Sequence, residues 1–114
     1  MPKINARKKG HAYELQIRDF FRDLGFKDCV SSRSESKNMD DKGVDLCYTG
    51  PFYAQIKAVE NLGSIHNVLA KMPKEEKLNL VFHKKNRQGT IVAMELESFK
   101  ALATEFCTRA DNSK

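Results

Sequence analysis

The spacing of apolar residues predicts three helices. Between residues 10 and 24 they recur every three or four positions, and Gly25 follows: Tyr13, Ile17, Phe20, Phe21 and Leu24. This period is typical of an amphipathic helix, and a glycine after the last apolar residue favours its end. The same period predicts a short helix after Ser64, which would be its N-cap, and a C-terminal helix over residues 97–109.

Shorter segments rich in β-branched and aromatic residues predict five strands. They cover residues 26–31, 44–48, 52–58, 78–83 and 90–96. The Thr-Gly-Pro sequence at 49–51 predicts a hairpin between the second and third strands. The polar residues 31–43 predict a long loop, of a length that is usually functional or disordered in a compact domain.

Together these elements predict one α/β domain over residues 10–109, a mixed five-stranded sheet flanked by helices. The basic residues 1–9 are expected to form a flexible arm, and residues 110–114 a frayed tail.

The predicted hairpin gathers polar side chains. Side chains alternate along a strand, so Gln55 and Lys57 share one face and Ala54 and Ile56 take the other. The turn would place Asp45 across from Gln55 or Lys57. Two interpretations remain open: an Asp45–Lys57 ion pair on a half-exposed face, or a divalent-cation site with a lysine beside it.

Glu14 lies at the margin of the apolar stripe of the first helix. It would either form a surface pair with Arg18, one turn later, or reach into a pocket at the edge of the core.

Composition limits the classes of function. The chain has 114 residues, 40% of them hydrophobic, and a formal net charge of +5. Residues 38–62 hold two Lys or Arg against four Asp or Glu, whereas each flank holds nine Lys or Arg. A cation site within a surface that attracts polyanions has this pattern, and so does an ordinary mixed surface.

Three scattered cysteines without a CxxC pair predict reduced thiols, and neither a disulfide framework nor a zinc site. The sequence has no apolar run of membrane-spanning length and no signal-peptide core. We therefore expect a cytoplasmic protein without a membrane partner.

Three features in order along the chain resemble the PD-(D/E)xK nuclease superfamily, whose restriction-endonuclease-like fold has an αβββαβ core. They are Glu14 in the first helix, Gly43-Val44-Asp45 at the second strand and Gln55-Ile56-Lys57 in the third. The small size is similar to that of Holliday-junction resolvases, and Gly-Val-Asp followed by Gln-x-Lys is similar to type IV restriction endonucleases.

The resemblance implies an endonuclease that hydrolyses phosphodiester bonds of duplex or branched DNA with Mg²⁺, for which Mn²⁺ would substitute. Asp45, Glu14 and the backbone carbonyl of Ile56 would hold the metal, and Lys57 would stabilise the attacking hydroxide and the transition state. Gln55 departs from the usual acid, and its neutral amide is a weaker ligand. A non-catalytic nucleic-acid-binding module on the same fold is therefore the alternative.

Basic residues outside this centre are candidates for contacts with DNA phosphates. They are Lys8, Lys9, Arg33, Lys37, Lys84, Lys85 and Arg87. Symmetric cutting of two strands would need a homodimer. Leu15 is apolar but lies opposite the core stripe of its helix, which hints at such an interface. No small-molecule cofactor is expected.

Overall fold

The structure is a computed structural model that describes residues 6–59, 63–74, 77–85 and 87–112, with side chains described from residue 10 to residue 107 within these ranges. The predicted order of elements is found, with two short helices added. The helices and strands are α1 (Ala6–Leu24), β1 (Val30–Ser31), α2 (Ser32–Glu35), α3 (Lys37–Asp41), β2 (Leu46–Cys47), β3 (Phe52–Lys57), α4 (Ile65–Ala70), β4 (Leu78–Lys84), β5 (Thr90–Ala93) and α5 (Leu96–Asn112).

The mixed α/β class is confirmed, but the predicted five-stranded sheet is wrong. In the described part of the chain β3, β4 and β5 form one sheet in that order, and β1 and β2 form a separate antiparallel pair. β3 and β4 run parallel, joined by a crossover through α4, and β5 is antiparallel to β4.

The separation of the two sheets has a local cause at Asp45. Its backbone N–H donates to the Ala54 carbonyl at 2.8 Å, but its side-chain Oδ2 accepts from the Ile56 N–H at 2.7 Å. The Asp45 side chain thus occupies the Ile56 N–H, which backbone pairing between β3 and a longer β2 would need. β2 also ends early because Tyr48 has a left-handed backbone, with φ 64°.

The three-stranded sheet is covered by a helix on each face. Ala54 of β3 and Phe82 of β4 pack with Tyr13, Ile17 and Phe21 of α1. On the other face, Tyr53 and Val81 pack with Leu69 of α4 and with Met72 and Val44. This alternation agrees with the predicted faces of the third strand.

The predicted loop 31–43 is wrong in part, because α2 and α3 fold within it. Ser31 and Ser36 are their N-caps, and each serine side chain accepts from a backbone N–H two or three residues later. Serine at an N-cap satisfies an N–H that the helix leaves unpaired. The polar composition of this stretch therefore marks two short helices rather than a continuous loop.

The ends of the domain also differ from the prediction. α1 begins at Ala6, so residues 6–9 of the predicted arm are helical, and α5 continues to Asn112, into the predicted tail. Residues 1–5 and 113–114 lie outside the described residues. None of the described helices combines the length and apolar character needed to cross a membrane.

The turn before β3 depends on Gly50. Its φ is +63°, and a Cβ at this position would overlap the ring of Phe26. We expect Gly50→Ala to lower the free energy of unfolding by about 2 kcal/mol or more, since it combines left-handed strain with overpacking. Urea denaturation would measure this. Gly89→Ala is the control, because a Cβ there meets no atom within 4 Å and the backbone is not left-handed; equal losses in both variants would contradict the prediction.

Candidate metal-binding site

Asp45 lies where β2 meets β3, and its position is held by three hydrogen bonds. Its N–H donates to the Ala54 carbonyl, its carbonyl accepts from the Ser32 N–H at 2.9 Å, and its Oδ2 accepts from the Ile56 N–H. The carboxylate therefore faces the Ala54–Ile56 stretch of β3, in which Gln55 is the middle residue.

The Asp45 carboxyl is partly buried and lies among other charged groups. Its pKa is raised to about 6, and burial is the largest cause. The charges of Glu14 and Asp40 contribute to this rise, whereas the hydrogen bond from the Ile56 N–H and the charge of Lys57 oppose it. Glu14 and Lys57, which the sequence predicts to share a site with Asp45, are thus close enough to act on its ionisation.

Glu14 is buried on α1, with 5% of its surface exposed. Ser31 donates its hydroxyl to Glu14 Oε1 at 2.6 Å, and Arg33 Nη2 lies 3.7 Å from Oε2. The alternative of a surface pair with Arg18 is wrong, because Arg18 pairs with Asp19 at 2.9 Å. Glu14 therefore points inward, between α1 and the start of α2.

Gln55 and Lys57 lie on the α4 face of β3. They line a cavity of about 370 Å³ together with residues of α4 and its flanks: Val59, Ser64, Asn67, Val68 and Lys71. The cross-strand ion pair is not formed: the salt bridges described in the structure join Arg18 to Asp19 and Arg33 to Glu14. Lys57 thus acts on Asp45 at longer range and faces a polar cavity.

The amide oxygen of Gln55 is buried and has no hydrogen-bond partner among the described residues. It lies against Gly43, where a Cβ would be only 3.2 Å from Oε1 and where φ is +78°. Leaving a buried acceptor without a partner costs about 1–3 kcal/mol. An acceptor in this state fits the role of a ligand for a cation.

The residues present fit an oxygen-ligated divalent ion with a limited donor set. Among the described residues, no group of three or more His, Cys, Asp or Glu side chains is placed to hold a metal ion. The available donors are two carboxylates, Asp45 and Glu14, and the Gln55 amide. Oxygen ligands of this kind suit Mg²⁺, which retains several waters when bound to few protein groups. The ligand role predicted for the Ile56 carbonyl stays a prediction; the observed role of Ile56 is to donate its N–H to Asp45.

Three of the predicted DNA-binding residues come together. Lys84, Lys85 and Arg87 line a cavity of about 240 Å³ with Tyr13 and Gln16 of α1, and with Ala12 and Ala58. Lys84 Nζ lies 5.8 Å from the centre of the Tyr13 ring. Tyr13 and Gln16 were not predicted to line this cavity, because the sequence assigns Tyr13 to the core and does not show which helix faces the β4–β5 turn.

The other predicted DNA-binding residues are dispersed. Arg33 lies in α2 beside Glu14, and Lys37 is exposed at the start of α3. Lys8 and Lys9 belong to α1, and their side chains are outside the described part of the chain.

Two serines of the site were not predicted. Ser31 caps α2 and also donates to Glu14. Ser32 is fully buried, and its hydroxyl donates to the Val44 carbonyl at 2.6 Å, next to Asp45. The Ser-Ser pair at the start of a polar stretch is a helix-capping signal that would have indicated the first of these roles.

His83 has a structural role. It is buried, and its Nε2 lies 2.8 Å from the carbonyl oxygen of Val59.

Comparisons with protein-family models, with curated proteins and with solved structures find no match for this chain. Function is therefore inferred from the residues of the site.

The raised pKa of Asp45 makes stability depend on pH. The folded pKa of about 6 exceeds the ordinary value of 3.8, so the native state binds the proton more tightly and loses stability as pH rises between these values. Without divalent cations, we expect Asp45→Asn to have a free energy of unfolding about 3 kcal/mol higher than that of the wild type at pH 7.5, measured by urea denaturation. The asparagine oxygen still accepts from Ile56 but carries no buried charge.

At a pH near 4 the wild-type carboxyl is protonated in the folded protein, and the two proteins should differ little. An advantage of Asp45→Asn that is equal at both pH values, or a loss of stability at pH 7.5, would contradict the prediction.

Proposed function

We propose that the chain is a Mg²⁺-dependent endonuclease that hydrolyses phosphodiester bonds of duplex or branched DNA, with a restriction-endonuclease-like core. The observation that carries the proposal is the buried Gln55 Oε1, which has no hydrogen-bond partner among the described residues. The next residue, Ile56, donates its N–H to the partly buried Asp45 carboxylate. A buried acceptor without a partner and a partly buried carboxyl both lower the stability of a small domain, and a cation that binds both would offset this loss. The order of Glu14, Asp45 and Gln55-x-Lys57 along the chain supports the same activity.

The residues of the site would have separate roles in hydrolysis. Asp45 and Glu14 would hold the cation with the Gln55 amide oxygen, and the Ile56 N–H and the Ser31 hydroxyl orient the two carboxylates. When bound, Mg²⁺ supplies neutralisation of phosphate charge and a water that ionises more readily. Lys57 would place its ammonium against the attacked phosphate and stabilise the charge that builds on its oxygens.

The basic cavity supports a polyanionic substrate. Among the residues that the structure describes, it is lined by three cations, Lys84, Lys85 and Arg87, and by no acid. Its lining residues Tyr13 and Ala58 pack on the α1 side of β3, whereas Lys57 faces α4. A phosphate of bound DNA would find a cationic site in this cavity, apart from the phosphate that is cut.

The neutral Gln55 and the lack of a third acid among the described residues favour one alternative, a nucleic-acid-binding module without cleavage activity. It shares the basic cavity and differs only in the chemistry.

Cleavage assays on branched, linear duplex and single-stranded DNA with Mg²⁺ or Mn²⁺ separate these functions. We expect cleavage of duplex or branched DNA that falls by about 10²-fold or more in Lys57→Met, because a group that stabilises transition-state charge is lost. Lys71→Met is the matched control, since Lys71 lines the same cavity from α4. DNA binding without cleavage under all conditions would favour the module, and equal losses in both variants would contradict the role of Lys57.

The basic cavity predicts a specific dependence on salt. We expect Lys84→Gln combined with Lys85→Gln to weaken DNA binding and to reduce the slope of log affinity against log salt by about 2, because each lost phosphate contact removes nearly one unit. Fluorescence anisotropy at several salt concentrations measures the slope. Lys27→Gln combined with Lys74→Gln removes the same charge from exposed positions outside this cavity. A slope that changes equally in both double variants would contradict a phosphate site here.

A further inference from the structure

The last helix carries an apolar stripe on its surface. Leu96, Phe99, Leu102 and Phe106 of α5 are exposed by between 39% for Leu102 and 77% for Leu96. Their spacing of three or four residues places them on one face of the helix. Large apolar side chains arranged in this way are normally covered in a soluble domain.

The described part of the chain does not cover the stripe. α5 makes only isolated contacts with the other described helices and strands. The molecule measures 59 Å along its longest axis and 27 Å and 25 Å across, and its radius of gyration is 15.2 Å. A compact domain of this length has a radius of about 13 Å. An isolated helix of 17 residues is only marginally stable in water, so α5 needs a partner surface.

β5 extends the apolar surface next to α5. It is an edge strand of the described three-stranded sheet, and Ile91 and Val92 are exposed by 58% and 50%. An edge strand offers unpaired N–H and C=O groups to another chain. β5 and α5 are separated by only two residues, Met94 and Glu95.

We propose that α5 and β5 form the interface of a homodimer, in which a second copy of this chain covers the stripe. Ile91 and Val92 point to opposite faces of the sheet, so one of them can join the stripe. The four side chains of the stripe and one from β5 offer roughly 600 Å² per protomer, given that a large side chain buries on the order of 200 Å² when covered completely. Two copies would then bury about 1,200 Å² of apolar surface, which is within the range of specific interfaces. A two-fold axis also allows an edge strand to pair with its own copy in antiparallel fashion.

Charge argues against a membrane or DNA as the occupant. The described charged side chains around the stripe are Glu95, Glu97, Lys100 and Glu105, three acids and one base. Anionic lipid and DNA would both be repelled by this balance along α5. The cations Lys84, Lys85 and Arg87 lie at the opposite end of β5, in the basic cavity. Leu15, which the sequence suggested as an interface residue, is half-buried on α1 and is not part of this surface.

Sedimentation velocity over a series of protein concentrations tests the dimer, and it does not depend on the proposed nuclease activity. We expect the wild type to sediment at twice the protomer mass of 13.0 kDa and to dissociate on dilution. Phe99→Glu and Phe106→Glu should be monomeric at the same concentrations. Ala101→Glu should remain a dimer, because Ala101 lies about 150° from the centre of the stripe at 100° per residue.

Hydrogen exchange of the wild type provides a readout that does not rely on variants. Backbone amides of α5 and β5 should become more protected as the protein concentration rises, while those of α1 should not change. A wild-type monomer at every concentration would overturn the proposal, as would a monomeric Ala101→Glu or concentration-independent protection of α5. A monomer that binds anionic vesicles through α5 would also overturn it and assign the stripe to a membrane surface.

Discussion

The hydrogen bond from the Ile56 N–H to the Asp45 carboxylate organises the centre of this molecule. At 2.7 Å it joins the end of the β1–β2 pair to the next-to-last residue of β3, at a point where the strands would otherwise form a ladder. The bond fixes the carboxylate in place and also opens the sheet beside it. The same contact thus divides the fold into two sheets and creates the position at which a cation would bind.

The surroundings of this bond are costly for stability. Asp45 is ionised against burial and against the charges of Glu14 and Asp40, and the Gln55 amide oxygen is buried without a partner among the described residues. Each of these features lowers the free energy of unfolding by a sizeable fraction of the total for a small domain. Gly43, which allows Gln55 to approach, adds a backbone conformation that other residues rarely adopt. Costs that coincide at one place are typical of a site kept for function rather than for folding.

Much of the fold follows from periodic patterns in the sequence. The apolar stripe of α1, the alternation along β3 and the Ser64 N-cap of α4 were predicted because each is set by residues close in sequence. The two-sheet arrangement was not, because it depends on an Asp45 side chain replacing a backbone partner, and a strand pattern does not reveal this. The short helices α2 and α3 were missed because their caps are serines in a stretch whose polarity otherwise indicates a loop. The site residues Glu14, Asp45 and Lys57 could be proposed from their order along the chain, but the roles of Ser31 and of the cavity beside Tyr13 depend on which elements pack together.

The central claim is that Asp45 and Gln55 contact one divalent cation. A crystal structure of the wild-type protein grown with Mn²⁺, with anomalous scattering recorded at the manganese edge, tests it most directly. The account predicts an anomalous peak within coordination distance of the Asp45 carboxylate and of Gln55 Oε1, with Glu14 bound directly or through water. An anomalous peak only at other residues, or a Gln55 amide hydrogen-bonded to protein groups with no peak beside Asp45, would contradict it.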